Sequence, residues 1–162
     1  MWTLFVIFRG LLCIFVFTSF AISQGRWVSP DKKYCLNAPV VLQPNPSQYP
    51  PNVITSFRAS GKDQDFILYV VKGAKQRESF EDRVGGLWFV LGGDDDFDFI
   101  RENTRLADLP VLNILYKKQN IRGSFIDSGK EIYVLGLFST NRENLFSESA
   151  NEFFSSFHSC PK

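Results

Sequence analysis

One histidine, one methionine and three cysteines in 162 residues leave little for metal or redox chemistry. A structural zinc site needs three or four nitrogen or sulfur ligands, and His158 with distant cysteines does not supply them. No glycine-rich stretch is followed by Lys-Ser or Lys-Thr, so a phosphate-binding loop is excluded. Ser124, in RGSFID, lacks the glycine two residues on that a nucleophile elbow requires. The one approach to a glycosylation sequon, Asn45-Pro46-Ser47, is disqualified by its proline. Carboxylate pairs such as Asp63 with Asp65 lie in turn sequence and fix no hydrolase site on their own. Nor is there an excess of either charge, with 18 basic residues against 17 acidic ones. A balanced chain has no electrostatic reason to bind nucleic acid or an anionic membrane surface.

An acidic run, GGDDDFDF, is present and invites a calcium reading. Asp94, Asp96 and Asp98 alternate as in an EF-hand loop. The sixth position is Phe99 instead of glycine, however, and the twelfth is Arg105 instead of a bidentate glutamate. That excludes the EF-hand. The Asp94–Asp98 stretch is then either a solvated turn or a weak calcium site, and the sequence does not separate the two.

The first residues, MWTLFVIFRGLLCIFVFTSFAISQ, hold one charge, Arg9, ahead of an apolar core of signal-peptide length. Ala21 and Ser23 put small residues at the −3 and −1 positions of a cleavage after Ser23. The expected organisation is a signal peptide over 1–23, a short lead-in over 24–33 and a single domain over 34–162. The other reading is an uncleaved N-terminal anchor, although Arg9 interrupts any run long enough to span. Cleavage leaves 17 charges of each sign and no membrane span, and it places the domain outside the cytoplasm, secreted or periplasmic.

Cleavage also leaves an even pair of cysteines, Cys35 and Cys160. In an oxidising compartment such a pair reads as one disulfide tying the two ends of the domain. His158 beside Cys160 suggests a thiol site. Nucleophilic catalysis needs a thiolate, a base and an orienting group converging in space, and closeness in sequence does not provide that. Cys160 is better used in the bridge, and His158 reads as a cation at a helix end.

Prolines 30, 39, 44, 46, 50 and 51 make the stretch from Trp27 an extended, edge-like lead-in, with Tyr34–Leu36 and Val40–Leu42 as short strand pieces. Strands are expected over Val53–Ala59, Phe66–Lys72, DFDFIREN, VLNILYKK, IRGSFID and EIYVLGLF. Phe80, Val84, Leu87, Trp88 and Leu91 form one helical stripe, capped by Ser79 and stopped by Gly92-Gly93. Phe146, Ala150, Phe153, Phe154 and Phe157 repeat that spacing, with Ser147 and Glu148 as the helix start. TRLADLP reads as a link. The expected fold class is α+β, an antiparallel sheet of about six to seven strands packed with two main helices.

Several of these pieces resemble PsbP-like exported bacterial domains. The residues concerned are Trp27, the entry Ser29-Pro30-Asp31-Lys32-Lys33-Tyr34, APVVLQP, Arg122, Ile132-Tyr133, Leu135, Phe153-Phe154 and Ser156-Phe157. The resemblance is one of core pattern, and the cysteine pair lies outside it. It implies an α/β/α sandwich and a non-enzymatic role as an assembly factor, accessory subunit or binder, with no catalytic residue or cofactor carried over.

The expected function is therefore an exported, monomeric, non-enzymatic domain that binds another protein, without cofactor, metal or nucleic acid. Trp27, Tyr49 and Phe97 are the candidate partner-surface aromatics. The alternatives are a small secreted hydrolase or ligand-binding enzyme, and a structural surface protein.

Overall fold

The computed structural model describes residues 25–46, 50, 53–73, 78–93, 97–100, 104–116 and 118–161. The leader, Tyr49 and Asp94–Asp96 lie outside them. In chain order the elements are β1 (Gly25–Val28), β2 (Tyr34–Ala38), β3 (Gln43–Asn45), β4 (Ile54–Ser60) and β5 (Gln64–Lys72). Helix α1 (Phe80–Val90) follows, then β6 (Phe97–Ile100), β7 (Arg105–Leu106), β8 (Leu109–Tyr116), β9 (Ile121–Asp127) and β10 (Glu131–Ser139). A 3₁₀ turn (Arg142–Phe146), helix α2 (Glu148–Ser155) and β11 (His158–Ser159) complete the order.

The large sheet runs β3-β4-β5-β10-β9-β8-β6, with β7 paired to β8 beside this path. A smaller sheet has the order β1-β2-β11. Every pairing among these strands is antiparallel. The central strands are apolar on both faces because both faces are covered. Along β10, Tyr133, Leu135 and Leu137 enter one core, and Ile132 and Val134 enter the other.

The expected α+β sandwich is overturned. The two α-helices have 11 and 8 residues, and strands dominate the described chain. The molecule is a β-rich fold. The physical reason lies at the two ends of the described chain and in one link. Residues 25–28, expected as part of an extended lead-in, form a strand that pairs with β2, and residues 158–159 pair with its other side. Together they form a small sheet that shares one face of the large sheet with α2, where a helix layer was expected. The TRLADLP link supplies β7, turned by Ala107 and Asp108 at positive φ. Val40–Leu42 is not a strand, and the pairing falls three residues later, at Gln43–Asn45.

On the face shared with the small sheet, Trp27, Leu36 and Ala38 meet Phe66, Leu68, Tyr133 and Leu135, with Phe153, Phe154 and Phe157 beside them. Arg122 is buried here. Its guanidinium donates to the Leu145 carbonyl (3.0 Å) and Asn151 Oδ1 (2.8 Å), and it lies 4.5 Å from the Phe154 ring centre. It thereby ties β9 to the 3₁₀ turn and α2. Ser124 donates to Asn113 on the neighbouring strand, so this hydroxyl works as a cross-strand bond.

The opposite face is covered by α1. Ser79 caps it, accepting from the Asp82 amide, and Glu81 and Asp82 sit in its first turn, where the helix dipole favours them. Val84 and Trp88 are its buried residues. Arg83 pairs with Asp127 at the β9–β10 turn, with only 11% and 12% of the two side chains exposed.

Cys35 and Cys160 form a disulfide with Cα atoms 5.1 Å apart, across 125 residues of chain. The Cys160 amide also donates to the Lys33 carbonyl (2.8 Å), so the bridge continues the β2–β11 pairing.

Candidate functional site

The α1 face has a gap in its side-chain cover. Gly123 of β9 and Gly136 of β10 are register partners, and both face α1 in the middle of the sheet. Two opposed glycines leave bare backbone where a strand normally carries packing side chains. The result is a cavity of about 70 Å³. Its walls are aromatic: Trp88, Tyr116, Tyr69, Phe125 and Phe138, with Gln119 also lining it.

The end of α1 shapes the cavity. Gly92 takes φ +93°, a left-handed conformation that side chains resist, and so ends the helix. Gly93 then lies directly on the Trp88 indole, and a Cβ there would come within 2.0 Å of Trp88 Cε2. This close approach holds the indole between the chain and the sheet. Trp88 packs edge-on to Tyr116 (5.5 Å between ring centres) and to Phe97 (6.0 Å).

From Phe97 the aromatic series continues to Phe99, 5.3 Å away on the same face of β6. Phe99 is 48% exposed, and Phe89 and Val90 on the outer side of α1 are exposed as well. Among the described residues no strand pairs the outer side of β6. Tyr116, Trp88, Phe97 and Phe99 thus run from the core to an open sheet edge.

The candidate surface aromatics fall in different places. Trp27 is not at the surface. It is 8% exposed and packs edge-on against Phe57 and Tyr133. Burial was not legible because its strand partner, β2, and the sheet beneath are joined only by tertiary contact. Phe97 is half-buried inside the aromatic series, and Tyr49 lies outside the described residues. Sequence reasoning missed Phe99, although the alternation in DFDF places Phe97 and Phe99 on one face.

His158 and Cys160 form no reactive pair. Cys160 is in the disulfide, and His158 Nδ1 lies 2.6 Å from the Ser156 carbonyl oxygen in β11. Asp98 is exposed on β6, and among the described residues no group of three or more His, Cys, Asp or Glu could hold a metal ion.

Among the described residues three titratable groups are perturbed, and each has a structural partner. A hydrogen bond from Ser29 holds Asp31 below the usual carboxylate range, and the same hydroxyl accepts from the Lys33 and Tyr34 amides to lock the β1–β2 turn. Burial pushes Asp65 upward, but hydrogen bonds from Ser60 and Arg58 and the Arg58 charge outweigh it and leave the carboxyl lowered. Burial raises the Tyr133 phenol, and the adjacent Glu131 carboxylate raises it further. None of the three lines the aromatic cavity.

No known family pattern matches the chain, and no curated protein matches it.

Proposed function

We infer that the chain is an exported, non-enzymatic domain that binds another protein through the edge formed by β6 and the outer side of α1. The observation that carries this is the aromatic series ending in exposed Phe99 on a strand whose outer side no other described strand pairs. Edge strands invite strand addition unless they are blunted. The opposite edge, β3, carries Pro44, which has no backbone donor to offer. β6 carries no proline and offers an apolar side chain to an added strand. The expected partner presents an extended segment along β6 with an apolar residue against Phe99.

Export follows from residues 1–23 read as a signal peptide, and the Cys35–Cys160 disulfide is compatible with an oxidising compartment. No helix among the described residues is long and apolar enough to cross a membrane.

A photo-crosslinking residue at Phe99, introduced in the native host, tests the reading. The expected result is one discrete adduct, absent when the same group replaces Val53, which is also exposed. Phe99→Ser should keep the melting temperature and weaken capture of that partner. Equal labelling from both positions, or none from Phe99, overturns the reading.

A further inference from the structure

We propose that the glycine-floored cavity under α1 binds a small uncharged molecule built on a single aromatic ring. The first argument is the floor. Glycine inside a strand loosens the chain and forgoes packing, and here two glycines do so opposite one another. At Gly123 the Ile114 side chain, whose Cγ1 would lie 3.1 Å from an added Cβ, accounts for the glycine, but at Gly136 crowding does not require one. A Cβ there would meet Phe138 Cε2 at 3.7 Å and Ile67 Cβ at 3.8 Å, which are ordinary contact distances. Alanine would fit and would fill part of the space, as interiors normally do.

The second argument is shape. A flat backbone floor between upright rings suits a flat guest, which can pack offset or edge-on against Trp88 and Tyr116. The third is size. The cavity, about 70 Å³, is smaller than the roughly 150 Å³ apolar cavity that accepts benzene. A lipid chain or a nucleotide is therefore too large, and a single ring seated partway is the largest flat group that suits it. The fourth is polarity. No described residue lining the cavity is charged, so a charged guest would be desolvated without a partner. Gln119, exposed at the cavity, offers an amide donor and acceptor to one hydroxyl or N–H substituent.

The test is a titration with phenol, p-cresol and cyclohexanol, read by the indole N–H signals of Trp88 and Trp27. Phenol or p-cresol should shift the Trp88 signal saturably, with a Kd of about 1 mM or lower for a ligand of this size. The Trp27 signal, in the opposite core, should not move, and cyclohexanol should bind about tenfold more weakly because it lacks the ring face. Gly136→Val should weaken binding by about tenfold or more by filling the floor, and the milder Gly136→Ala serves if valine disturbs folding. Absence of a saturable Trp88 shift overturns the proposal. So does an equal response to cyclohexanol, or undiminished binding in the foldable Gly136 variants.

Discussion

Tyr133 sits where the two sheets meet. Its ring packs against Trp27, Tyr34 and Phe157, and its hydroxyl donates to Glu131 Oε2 at 2.7 Å. Burial and the carboxylate both oppose ionisation, so its folded-state pKa lies above its unfolded value. A group raised in this way contributes stability that is complete below the unfolded pKa, about 10 for tyrosine, and is lost as the pH climbs above it. Urea unfolding followed from pH 8 to 11 should show stability falling above about pH 10. Tyr133→Phe should flatten that fall while costing about 0.5–1.5 kcal/mol at pH 8 through the lost hydrogen bond. An unchanged slope in the variant would remove Tyr133 as the cause. The apolar pattern of EIYVLGLF marks Tyr133 as central, and strand alternation already sets Glu131 on its side; its aromatic neighbours appear only in the tertiary structure.

Helix α1 was legible as an element. The stripe, the Ser79 cap and the Gly92-Gly93 stop all fall where the spacing puts them, because a helix start and stop are set by local chemistry. Its glycines divide by environment, and sequence alone does not show how. Gly85 and Gly86 have nothing within 4 Å of a would-be Cβ, whereas Gly93 has the Trp88 indole there. Gly86→Ala should therefore stabilise the protein by about 0.5–1 kcal/mol, the helix-propensity difference. Gly93→Ala should destabilise it by roughly 1–3 kcal/mol, because a small residue is overpacked against a held ring. Thermal unfolding of the two variants checks the opposite signs. A stabilising Gly93→Ala would show that the Trp88 contact is not held in solution. The second helix follows the same division. Ser147 caps α2 as read, but Phe146 and Phe157 lie just outside the helix; Phe157 stays buried, whereas Phe146 is exposed on the 3₁₀ turn and Leu145 takes the buried place there.

At the scale of the molecule, the disulfide closes β11 onto β2 and holds the small sheet together at its end. Joining residues this far apart removes unfolded-state entropy worth on the order of 4–5 kcal/mol in the chain-entropy account. The paired Cys35→Ser, Cys160→Ser variant should lose about 2–5 kcal/mol. Amide exchange should show the loss first in β1, β2 and β11, with β5, β9 and β10 protected longest because both their faces are covered. Uniform loss across both sheets would mean that the small sheet is not a separable cover. What the sequence by itself determined is whatever is encoded over a few residues: the strand and helix segments, their caps and stops, and a cysteine pair with one sensible use. Tertiary structure alone decided the rest. It made the fold β-rich by pairing residues 25–28 and 158–159 with β2, buried Trp27, and left Phe99 on an edge that no described strand pairs. Beyond neighbouring strands joined by a short turn, these depend on layers and edges set across many residues of chain, about which local pattern carries no information.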